Sequence, residues 1–276
     1  MNEILDTSLS LFPARGGQIA DVGFRFGAKG THTSRTMMFE ELRQVFLATS
    51  SGARRADYAA AIIEGNCLSK LTTSTRRLTN QRLGELYGLD PAIPLFRVLR
   101  RLWELGSAGQ PLLALLAALA RDPLVAATSP SIVCLPENVD FQRDAMKSAV
   151  RAVVGNRLND STLEKVCRNA ASTWTQSGHL EGRTFKKRRV VLSSPAAVAY
   201  ATYLAYSAGF RSAEIFSCAW LRVLDCDPSR ARQLALDAKR IGLLDLRMAG
   251  DVVELSLARL DPYSGKADYG PYRRPG

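Results

Sequence analysis

Three groups of side chains stand out for the chemistry they could do. They are Arg76, Arg77 and Arg82; Lys165, Arg168, Asn169 and Ser172; and Arg183 with Lys186, Lys187, Arg188 and Arg189. Guanidinium and ammonium groups neutralise phosphates, and Arg, Asn and Ser also reach the donor and acceptor edges of bases. Residues 165, 168, 169 and 172 recur at steps of three and four, the spacing of one helix side. Bond-making chemistry is poorly supplied. The chain has two histidines, His32 and His179, and no Gly-x-Ser-x-Gly elbow, His-Glu-x-x-His or zinc-deaminase signature. The glycine-rich run 23–31 does not match a phosphate loop, because Lys29 precedes its glycine instead of following it. Cys67, Cys134, Cys167, Cys218 and Cys226 are widely spaced with no Cys-x-x-Cys pair, so buried reduced thiols are expected. No catalytic residue, metal site, cofactor or small-molecule ligand is expected.

The elements that must position these groups can be read around them. Asn159, Asp160 and Ser161 offer N-cap oxygens, and Glu164 stands three residues after Ser161, the capping-box spacing. Leu163, Val166, Ala170 and Trp174 then mark an apolar helix stripe, with the second polar group opposite. Ser177-Gly178 stops this helix, and a short basic hairpin follows through Leu192, the order of a recognition helix and its wing. A solvated helix followed by a basic hairpin is the plainer reading of the same residues. Earlier, a helix over 53–65, a short link, and Thr72-Thr73-Ser74 opening a second helix give a helix-turn-helix outline. There Thr75, Arg76 and Asn80 form the polar face, and Arg77 and Arg82 flank it.

Along the chain, residues 1–35 read as a flexible, glycine-rich basic arm, with Lys29, His32, Ser34 and Arg35 able to lie on a phosphate backbone. Residues 36–130 read as an N-terminal helical domain. Pro130 and Pro136, with Ser129 and Ser131, mark a boundary. Residues 137–260 read as a winged-helix-like domain whose first helix spans 138–154. Its last parts are a helix over 213–224, another over 230–241 capped at Asp227-Pro228-Ser229, and a hairpin turning at Ala249-Gly250-Asp251. Residues 261–276 read as a disordered tail. The fold class is mainly α: a helical bundle with helix-turn-helix or winged-helix-like units and short β-hairpins.

The balance of 37 Lys and Arg against 26 Asp and Glu gives a net charge of +11, which favours a polyanionic partner, nucleic acid or an anionic surface. The apolar runs 111–120 and 196–210 fall short of the roughly 20 residues that span a bilayer. The N-terminus lacks a sustained apolar segment, so a cytoplasmic protein with no membrane partner is expected.

Taken in order, residues 64–89 (EGNCLSKLTTSTRRLTNQRLGELYGL), the apolar helix closing on ALARDPL, and STLEKVCRNAASTWTQSGHLEG resemble BrxA, a small component of BREX bacteriophage-defence systems. The resemblance covers about residues 30–260. It implies a mostly helical protein with winged-helix-like parts, no catalytic residues, binding to double-stranded DNA, and other defence subunits as partners. A scaffold whose basic faces meet acidic proteins, a transcriptional regulator, and an RNA-binding protein are the alternatives.

Overall fold

The computed structural model describes residues 11, 19–27, 29–249 and 252–263, and these are mainly helical. Most of the expected tail, much of the expected arm and the turn at Gly250-Asp251 lie outside the described residues. The chain begins with α1 (Ile19–Val22) and a 3-10 turn at Thr31–Thr33, followed by α2 (Phe39–Leu47), α3 (Arg55–Ile63), α4 (Thr73–Tyr87), α5 (Pro94–Leu102) and α6 (Gln110–Arg121). Helix α2 starts at Phe39, just after Met38, which adopts a left-handed backbone (φ 54). Thr72 caps α4 by accepting from the Thr75 amide at 3.2 Å.

Helix α6 is the hub. Every residue from Leu112 to Arg121 is buried, so it has no polar stripe to show to water. Each of its leucines contributes roughly 1.5–3 kcal/mol by leaving solvent. Cover comes from both halves of the chain: α4 and α5 on one side, then α10 (Asp160–Gln176) and α11 (Pro195–Ser207). The expected division near 130–137 is therefore not a break in the core. Helices α7 (Pro123–Ala126) and α8 (Ser129–Val133) lead into it, and between them Thr128 is buried, its hydroxyl accepting from the Trp174 indole at 2.8 Å.

The described part of residues 1–35 is anchored to the fold at several points. Phe24, Thr31 and His32 are buried, and the Arg25 amide donates to the Ala120 carbonyl at 3.1 Å. Gly30 permits the closest approach: a Cβ there would sit 2.0 Å from an oxygen of Asp122.

The segment expected as one helix over 138–154 divides in two. Helix α9 covers only Arg143–Val154; Asn138 lies in a turn with a left-handed backbone (φ 65), and residues 139–141 run alongside β2. The reason is an available strand edge. The amides of Asn138 and Phe141 donate to the carbonyls of Arg188 and Lys186 at 2.9 and 2.8 Å, and the Arg188 amide donates to Val139 at 3.0 Å. On its other side β2 (Lys187–Arg188) pairs antiparallel with β1 (Leu180–Glu181). An extended segment, α9, α10 and a hairpin, with the segment pairing to the far strand of that hairpin, is a winged-helix arrangement.

The start of α10 differs in detail from the capping-box reading. The cap is Asn159, whose side chain accepts from the Thr162 amide at 2.8 Å, while Glu164 turns away to Lys147 and Arg143 of α9. Asn159→Ala should therefore cost about 1 kcal/mol, and Ser161→Ala close to nothing, by chemical denaturation. Equal costs would restore Ser161 as the cap.

A second helix-and-hairpin unit follows. The expected helix over 213–224 is interrupted: a 3-10 turn at Ser212–Phe216 gives way to α12 (Ala219–Arg222) through an extended Cys218. Helix α13 (Pro228–Arg240) is capped by Asp227, which accepts from the Arg230 amide at 2.9 Å, and it packs on α11. Then β3 (Asp245–Ala249) pairs with β4 (Val252–Ser256), burying Leu246. Among the described residues no single helix is long and apolar enough to cross a membrane.

Candidate nucleic-acid interface

Helix α10 buries Leu163, Val166, Cys167, Ala170 and Trp174 and turns its back to solvent. Lys165 and Arg168 stand on that back, exposed and without a side-chain partner among the described residues. Ser172 beside them returns its hydroxyl to the Arg168 carbonyl at 3.0 Å. Asn169 is placed differently. It lies on the flank towards the 3-10 turn, where its amide donates to the His32 carbonyl at 2.8 Å. Its task is fastening that turn, so it belongs with the structural residues rather than the contacting ones.

The hairpin separates its five cations in the same way. Arg183 and Lys187 are exposed and unpaired among the described residues. Arg189 is exposed but tethered to Glu181 at 3.2 Å and to the Asn138 side chain at 2.8 Å. Lys186 crosses the base of the loop, donating to the Gly182 carbonyl at 2.8 Å and to the Thr175 hydroxyl of α10 at 2.9 Å. Burial, helped by nearby Arg143, pushes the Lys186 ammonium below its ordinary pKa. Arg188 corrects the expectation outright: it is 2% exposed. Its guanidinium pairs with Asp225 and donates to the carbonyls of Ile132, at 3.0 Å, and Arg189. Alternation along a strand explains the pattern, since Lys187 and Arg189 point one way and Arg188 the other.

On α4 only one of three expected cations is left for a ligand. Arg76 donates to the carbonyls of Ile63 and Lys70, each at 3.2 Å, satisfying the end of α3. Arg82 pairs with Glu85 at 2.8 Å. Burial opposes ionisation of Glu85, but hydrogen bonds from Arg82, Thr31 and Gln81 hold its pKa below the ordinary value. Asn80 accepts from Arg55 at 3.0 Å, so the polar face expected to read bases packs against α3. Arg77 alone is exposed and unpaired among the described residues. Of the expected side chains, the cations left exposed and unpaired among the described residues are thus Lys165 and Arg168 on α10, Arg183 and Lys187 on the adjoining hairpin, and Arg77 on a separate helix.

Two buried histidine sites had no sequence signal, because their partners lie far apart in the chain. His32 Nδ1 is 2.7 Å from Asp122, and its Nε2 is 2.8 Å from the Thr173 hydroxyl. Burial alone would raise the Asp122 pKa, but the His32 charge and the amides of His32 and Leu124 hold it below normal. The order carboxylate, imidazole, hydroxyl is that of a nucleophilic relay. All three side chains are closed off from solvent, and the Thr173 hydroxyl already accepts from the Met37 amide at 2.9 Å. The cluster pins residues 30–37 to α6 and α10. His179 meets the Ser177 hydroxyl at 2.9 Å and the Val223 carbonyl at 2.7 Å, edge-on to Trp174.

Among the described residues no group of three or more His, Cys, Asp or Glu could hold a metal ion. All five cysteines are free; Cys167, Cys218 and Cys226 are buried, Cys67 is half-buried and Cys134 is exposed. Burial pushes the Cys167 and Cys218 thiols up to about 11, away from the reactive thiolate. The chain matches no protein-family model, and a comparison with curated proteins gives no significant match.

Proposed function

We propose that the protein is a non-enzymatic, cytoplasmic DNA-binding component of a BREX-type phage-defence complex, engaging duplex DNA through the back of α10 and the adjoining wing. The observation that carries the DNA reading is the division among its cations. Arg76, Lys186 and Arg188 are consumed by internal carbonyls and carboxylates, while Lys165, Arg168, Arg183 and Lys187 remain exposed and, among the described residues, unpaired on the two elements a winged helix offers to DNA. A net charge of +11 favours the same class of partner. Placement in a defence complex rests on the resemblance in residues 30–260.

The test is fluorescence anisotropy with a mixed-sequence duplex and matched RNA across a salt series. Contacts from these four cations give an expected log–log slope of roughly −3 to −4 on duplex DNA. At 0.1 M salt each lost phosphate contact is worth roughly eightfold, so Lys165→Gln with Arg168→Gln should weaken binding about sixty-fold and flatten the slope by about 2. Flat, negligible binding of the unmodified protein at low salt would overturn the reading. Equal affinity of the double variant would remove α10 from the interface, and stronger binding to RNA would transfer the function to RNA.

A further inference from the structure

The tip of the first hairpin carries an aromatic ring in water: Phe185 is 87% exposed, although the chain has a large core that could have taken it. The loop that presents the ring is tightly held. Gly182 has a left-handed backbone (φ +109), and a Cβ there would lie 2.1 Å from the Phe185 carbonyl oxygen, so only glycine lets the loop return so closely. Lys186 then ties the loop base to Gly182 and to α10 through Thr175. On either side of the ring, Arg183 and Lys187 are exposed and unpaired among the described residues, and Thr184 is exposed as well. A braced turn therefore holds one apolar wedge between two exposed cations, beside the C-terminal half of the helix proposed to meet DNA.

We propose that Phe185 enters the minor groove of duplex DNA and wedges into a base step, while Arg183 and Lys187 neutralise the flanking phosphates, so that the protein bends the DNA it binds. This rests on the DNA-binding reading of α10 and the wing. An apolar side chain that partly unstacks a step kinks the duplex towards the major groove, and pyrimidine–purine steps open most easily. The pre-formed loop means that little ordering is lost when the ring inserts. The proposal predicts preference for sites with a central TA or CA step without any hydrogen-bonded base contact from the wing.

The experiment uses the full chain with duplexes carrying donor and acceptor dyes at their ends and 2-aminopurine beside a central TA step. The expected result is a rise in energy transfer and in 2-aminopurine fluorescence on binding. Phe185→Ala should keep its melting temperature and its salt slope, lose affinity by about tenfold, and lose both distortion signals. Phe185→Leu, which keeps an apolar wedge, should retain most of the bend. Straight DNA that is nonetheless bound with a steep salt slope would overturn the wedge and leave the DNA reading standing. Equal bending by Phe185→Ala would do the same. A loss confined to single-stranded oligonucleotides would make the ring a stacking platform instead and overturn duplex insertion. If the unmodified protein binds no duplex, both proposals fall together.

Discussion

Asp225→Asn should lower folding stability by about 3–5 kcal/mol, the cost of leaving a buried charge without its partner. The substitution is a clean one. Asp225 sits in a left-handed backbone (φ 52), which Asn tolerates, and the amide oxygen can still accept from Val191, now at 2.9 Å from the carboxylate. What disappears is the charge facing Arg188, whose guanidinium is held between α8, β2 and the segment leading into α13. Urea denaturation at neutral pH, followed by tryptophan fluorescence, measures the effect. Adding Arg188→Met should recover most of the loss, because a buried ion pair replaced as a unit by apolar volume is nearly neutral. A cost below about 1 kcal/mol for Asp225→Asn would mean that the guanidinium reaches water. The same geometry makes Arg188 a poor choice for testing DNA contacts, since changing it loosens the wing; Arg183 and Lys187 report on the surface alone.

The second large effect is on acid stability. Burial pushes His179 down to about 4 from an ordinary 6.5, although the Val223 carbonyl and Asp225 favour its protonated form; Arg188 adds to the lowering. Neutral His179 then donates through Nε2 to Val223 and accepts at Nδ1 from Ser177. Below pH 6.5 the unfolded chain takes up a proton that the folded chain refuses. Stability from this group is therefore complete above that value and lost progressively as the pH falls towards 4. Between pH 7.5 and 5 the loss amounts to about 2 kcal/mol. Denaturation midpoints across that window should fall for the unmodified protein and flatten for His179→Gln, despite its lower starting stability. Parallel curves for the two proteins would show that His179 titrates normally. Asp122, with its pKa held down, keeps its contribution through this window and loses it only in stronger acid.

Local chemistry in the sequence was enough for much of the architecture. The caps at Thr72 and Asp227 come from side chains one turn away from the amides they serve. The stripe Leu163, Val166, Ala170 and Trp174 buries as its spacing requires, and alternation through Leu246 and Leu255 pairs the second hairpin. Net charge and the separation of helix from hairpin were equally plain.

Tertiary structure decided which of the polar residues remain available. The run 186–189 reads as four equivalent cations until Asp225, 37 positions away from Arg188, takes one of them inward. Asn169 looks like a base reader until the His32 carbonyl, 137 positions away, claims it. Residues 138–141 have a helical pattern but leave the helix because β2 presents an edge whose backbone groups need partners. The two halves of the chain share one core because α6, buried along residues 112–121, is covered from both of them. Spacing fixes what a residue can do within a turn or two of its own helix or strand. Whether its charge or hydrogen bond is left for a ligand depends on carbonyls and carboxylates that only the folded chain brings within 3 Å.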